Sequence, residues 1–167
     1  MHDVIEKLLI LQDRDRKILR VQTELANVGP EREALLRRTA GSQAALDAAK
    51  LKVKQIESER KDLELQVEAK KQMIEKYSVQ QFQTKKNDEY RALAHEIETC
   101  KQEIVKLEDQ QLELMEKGEE TQKEMTAASA AANELKKQAE KLIADLAGRE
   151  QNLQKQLADL KTDYDQL

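Results

Sequence analysis

From Val4 onward, apolar residues return every three or four positions over most of the chain. The first run is Val4, Leu8, Leu11, Ile18 and Leu25, with Val21 and Val28 alongside and Asp15 interrupting. The second is Leu35, Leu46, Ala49, Val53, Ile56, Leu63, Val67, Ile74 and Tyr77. A third restarts at Tyr90 and passes Leu93, Ile97, Cys100, Ile104, Leu107, Leu114, Met125, Ala132, Leu142 and Leu153 before ending on Tyr164 and Leu167. This period belongs to amphipathic α-helix, and over so many turns to a helix that packs along a narrow seam. Thr39, Ser42, Arg60, Lys70, Gln111, Gly118 and Thr121 are its weak steps.

Composition closes the alternatives. Aromatic residues make up 2% of the 167 and charged residues 37%, so a thick globular core cannot be filled. Disorder is disfavoured by the spaced aliphatics and the single proline. Ala, Leu, Glu, Lys and Gln dominate, and all are strong helix formers.

Two places interrupt the pattern. At "NVGPERE", Gly29 suits a left-handed helix end and Pro30 a first helical turn. The spacing and punctuation predict a helix break at Gly29–Pro30, a candidate hinge. At "KKNDEYRAL", Lys85 and Lys86 suit a helix end, Asn87 an N-cap, and Asp88 and Glu89 a first turn. A turn near 83–88 divides the chain evenly, because Val4–Gln83 and Asp88–Leu167 each hold 80 residues. Residue i then faces roughly residue 171 − i. Charge agrees: Glu31–Lys86 carries 13 basic and 9 acidic residues, and Asp88–Glu124 carries 5 basic and 12 acidic. Opposite arms of one chain attract, whereas a parallel dimer sets like against like.

The expected fold is therefore all-α: one domain over 1–167, a long antiparallel coiled-coil hairpin with helices at about 3–28, 31–82 and 88–167. At ~1.5 Å per residue such a hairpin is about 120 Å long.

Single residues carry two readings each. Phe82, the only phenylalanine, is expected to plug the top of the seam, with an exposed docking anchor as the alternative. Tyr90 is expected to cap the seam while Glu89 steadies the first turn. With Lys85, Lys86 and Asn87 they form a candidate partner-binding tip. Asp15 is a candidate register-setting residue, with Lys155 as its possible partner, or it leans to water. His95 reads as a surface histidine and Cys100 as a small hydrophobe on the seam. One cysteine excludes an intrachain disulfide and a cysteine-based metal site. No Gly-rich phosphate loop or nucleophile–base set is present, so the chain is expected not to be an enzyme. Lys50, Lys52, Lys54, Lys70 and Lys71 could meet phosphates, but neighbouring acids dilute them. The start of the chain does not read as a signal peptide, and no apolar run approaches the ~20 residues a membrane span needs. A cytoplasmic location is expected, with no membrane partner.

"LLILQDRDRKI", "IEKYSVQQF" and "KKNDEYRALAHEIETCKQEIVKLEDQQLELME" together resemble the bacterial C4-type zinc-ribbon proteins. The distinctive positions are Asn87, Glu89, Tyr90, Ala92, Leu93, Glu96 and Ile97. The resemblance implies an antiparallel coiled-coil hairpin followed by a ribbon with two Cys-x-x-Cys pairs. No such pairs are in this sequence, and the stripe is still running at Leu167, so a longer chain is expected. No cofactor is expected in this chain, and zinc only if a C-terminal ribbon follows. The implied partners are proteins: flagellar or type III secretion components, or the alternative sigma factor of the nitrogen type. The resemblance also implies RNA binding in a full-length protein. The expected role is an adaptor or chaperone-like stalk, as a monomer or weak dimer. Alternatives are nucleic-acid binding through the ribbon and a structural, prefoldin-like coiled coil.

Overall fold

The computed structural model describes residues 1–165, with side chains through residue 163. Two helices, α1 (His2–Gln83) and α2 (Asn87–Asp165), form an antiparallel coiled-coil hairpin. The chain divides into two units, Met1–Ala44 with Ala130–Leu167, and Ala45–Ser129.

In the first unit the inward residues of α1 are Leu11, Arg14, Ile18, Val21, Leu25, Val28, Arg32, Leu35, Thr39 and Ser42. Their spacing alternates between three and four without a fault, and it passes straight over Gly29 and Pro30. The expected break is therefore absent: α1 is one helix, Pro30 lies inside it, and Gly29 does not take a positive φ. The reason is the position of the proline. Val28 and Arg32 are the inward residues on either side, so Pro30 stands on the face turned to water. The carbonyl of Ala26, deprived of its usual donor, is in an exposed residue and can be hydrated. Val28 is 1% exposed, and two cross-helix ion pairs follow at once, Arg32–Glu150 at 2.8 Å and Glu31–Arg149 at 3.6 Å. Seam burial offsets the interior proline, which costs about 3 kcal/mol.

On α2 the inward positions of this unit step from Ala132 to Leu135, Ala139, Ile143 and Leu146. Two successive steps of four, together with the step of three before them, make an eleven-residue interval, which locally unwinds a left-handed supercoil. Leu142, expected on the stripe, is consequently turned out and 47% exposed, and Ile143 takes its place. Leu142, Leu35 and Leu146 line an open groove of about 400 Å³, edged by Glu31, Arg38 and Arg149.

In the second unit the seam runs from Leu46 through Ile56, Leu63 and Val67 to Tyr77, Gln81 and Thr84 on α1. On α2 it runs from Leu93 through Cys100, Ile104 and Leu114 to Met125 and Ala128. Gly118 fixes the register: a Cβ built on it would lie 3.7 Å from Ile56 Cγ2. The expected pairing put residue 115 opposite Ile56, so α2 stands three residues, about one turn, from that expectation. Lys70, on the seam, reaches outward to Glu103 at 2.6 Å. The expected pairing of Leu8 with Tyr164, and the end of the stripe at Leu167, fall outside the described side chains.

Candidate protein-docking site at the helix turn

The turn that joins the helices is three residues long, Thr84–Lys86. The Thr84 amide donates to the Gln80 carbonyl at 3.0 Å and closes α1. The Tyr90 amide donates to the Lys86 carbonyl at 3.1 Å and opens α2. Lys86 is thus the N-cap, and Asn87, expected in that role, is the first helical residue. Lys85 and Lys86 lie in the turn rather than in the last turn of α1.

Thr84, rather than Asn87, supplies side-chain hydrogen bonds at the turn. Its hydroxyl donates to Glu89 Oε2 at 2.7 Å and accepts from the Lys86 amide at 3.3 Å. Gln81 Nε2 donates to the Tyr90 carbonyl at 3.1 Å, tying the two helix ends together. Lys86 Nζ stands 3.8 Å from Glu89 Oε1. Neither Thr84 nor Gln81 stands out in the sequence by residue type. The available signal was that both continue the three-and-four spacing from Tyr77.

That spacing also decides Phe82. The last inward positions are Tyr77, Gln81 and Thr84, so Phe82 is one residue, about 100°, off the seam. It is 92% exposed and does not plug the seam. Val79, one turn earlier on the same side, is also exposed. Tyr90 is half exposed and covers the open end of the seam only in part. The structure therefore gathers Phe82, Lys85, Lys86, Asn87, Glu89 and Tyr90 around one turn, with the aromatic ring outward and the backbone held from beneath.

The other candidates belong to the first unit. Gly29 and Pro30 sit mid-helix on the exposed face. Asp15 is exposed and off the seam, so the register-setting contact with Lys155 is not formed. The inward residue at that level is Arg14, whose guanidinium donates to the Asp163 carbonyl at 2.8 Å. Asp13 and Lys17 pair along the helix at 3.1 Å.

Cys100 is buried on the seam, as its spacing predicts, and His95 is exposed. Among the described residues no group of three or more His, Cys, Asp or Glu could hold a metal ion, and no helix is long and apolar enough to cross a membrane. Lys70 has its pKa raised, first by its hydrogen bond to Glu103, against a smaller opposing effect of burial.

Two helices packed antiparallel along one seam, closed by a short bonded turn, define a coiled-coil hairpin. The chain belongs to the family of the CT398-like coiled coil hairpin domain, whose model matches residues 6–167. Among solved structures it is similar to CT398 from Chlamydia trachomatis, with 19% identity and a TM-score of 0.82 over 99% of this chain and 70% of that one. At that identity the likeness is one of fold. No curated protein matches the chain. The family match is to the hairpin and brings no zinc ribbon with it.

Proposed function

We propose that the chain is a non-enzymatic, cytoplasmic interaction module, an adaptor or chaperone-like hairpin that offers its turn to protein partners. The observation that carries this reading is Phe82. An almost fully exposed phenylalanine, beside exposed Val79 and above a turn braced by Thr84 and Glu89, costs solubility and contributes nothing to the seam. Large aromatic side chains on a rigid support dominate protein interfaces. Lys85 and Lys86 add positive charge at the same place.

The resemblance to C4-type zinc-ribbon proteins supports a finer version: a stalk in a longer protein whose clients are secretion or flagellar components or an alternative sigma factor. In that version a ribbon would supply zinc and any contact with RNA. The test is Phe82→Ala in the full-length protein, tagged and expressed in its own cells. Partners recovered with the parent protein are expected to be lost with F82A and kept with Leu65→Ala, a change at another exposed apolar position. Equal recovery by all three contradicts the reading. RNA that follows the protein regardless of position 82 would favour the nucleic-acid alternative.

A further inference from the structure

A second apolar row lies in the middle of α2, inside the second unit and beside the seam. The seam there takes Ile104, Leu107, Gln111, Leu114 and Gly118. Val105, Leu112 and Met115 each stand one residue past a seam position, about 100° round the helix. Val105 and Leu112 are more than half exposed, and Met115 nearly half. The seam beneath them is closed by α1, from the Lys70–Glu103 ion pair to the contact of Gly118 with Ile56. Past Met115 the row runs into an open groove of about 460 Å³. Gly118 and Thr121 are too small to fill the seam at that level, so Val53 and Ile56 are left half-buried in the groove floor. Single exposed apolar residues need no explanation, but a row that ends in an apolar groove is the surface a further helix satisfies.

Charge selects the occupant. Glu108, Asp109, Glu116 and Glu119 stand on the same face of α2 as the row. Glu57 and Glu64 reach it from α1, where they line the groove and the hollow beside Met115. None of these six carboxylates joins an ion pair among the described residues. Only Arg60, Lys101 and Lys123 stand against them on that face. A second copy of the face, or a phosphate backbone, would set negative charge against negative charge, whereas a basic segment gains from every one of these contacts.

We propose that this face docks a basic amphipathic helix of a partner protein, separately from the turn. The partner's apolar row lies over Val105, Leu112 and Met115 and places a large side chain in the groove above Val53 and Ile56. Its lysines and arginines meet the surrounding carboxylates. The apolar row supplies most of the affinity and the charges set the choice of partner.

Binding of synthetic helical peptides to the whole chain, followed by fluorescence anisotropy, tests this. The probe peptide has leucines at three-and-four spacing and lysines elsewhere. One control has glutamates in place of the lysines, and another disperses the same leucines and lysines around the helix. Only the first peptide is expected to bind well. Leu112→Gln, at an exposed position off the seam, is expected to keep the helicity and weaken binding about tenfold. Leu65→Gln, an exposed apolar position elsewhere in the same unit, and F82A should bind like the parent chain. Equal binding of the dispersed peptide, preference for the glutamate peptide, or binding that L112Q leaves unchanged would each overturn the proposal. Self-association of the chain that L112Q abolishes would assign the face to a second copy and overturn it as well.

Discussion

Val28 is almost completely buried, and Pro30, two residues further along the same helix, is open to solvent. The pair explains how a proline persists inside α1. Its missing hydrogen bond falls on the face where water can replace it, while the seam is held immediately before and after. Pro30→Ala restores the donor at no cost to packing, so it is expected to stabilise the hairpin by up to about 3 kcal/mol. Urea unfolding gives the value, and slowed amide exchange around Glu31 would locate it. Val28→Ala is expected to destabilise by about 2 kcal/mol through the cavity it leaves.

Gly118 stands on the seam opposite Ile56, and a methyl there meets Ile56 at ordinary contact distance. Gly118→Ala should therefore add helix propensity without a clash, for a gain of about 1 kcal/mol. A lower unfolding midpoint would mean that the helices approach more closely at this level than the 3.7 Å contact implies.

Lys70 is the charged step in the middle of the second unit. Because its pKa is raised above the ordinary 10.5, its stabilising contribution is complete below that pH and lost only as pH rises through the higher value. Unfolding free energy is expected to be flat in this respect from pH 7 to about 9 and to fall above 10.5. Lys70→Leu should remove that alkaline loss. It should also raise the unfolding midpoint slightly, because an apolar seam residue replaces a partly exposed ion pair that contributes little.

At the turn, Thr84→Val removes the hydroxyl that joins Glu89 to the Lys86 amide. The expected effect is local, about 1 kcal/mol or less, with faster amide exchange from Lys86 to Tyr90 and little change in the exchange of Leu63 or Val67.

Much of this fold is legible in the sequence, because a coiled coil writes its seam as spacing. The two arms, the turn and the buried position of Cys100 follow from where apolar residues recur. What misled was punctuation read without phase. Gly29–Pro30 suggests a helix end by residue type, yet the steps from Leu25 to Val28, Arg32 and Leu35 never lose register. Phe82 suggests a plug by its size, yet it is one residue away from Gln81, which holds the inward position. Asn87 suggests a cap, but Thr84, three residues earlier, already holds the turn. Leu142 is turned outward by an extra step of four after Ala139, and one alanine among many gives little notice of that. In the first three cases an arginine, glutamine or threonine occupies the seam, and polar residues do not announce that they face inward.

The most direct test of the central claim is a photo-reactive residue placed at position 82 of the full-length protein in its own cells, with position 65 as the control. Both sites are exposed, and only the first is at the turn. A docking role for the turn predicts a discrete protein adduct from position 82 that is absent from position 65. The same adducts from both positions, or none from position 82, would contradict a docking role for the turn.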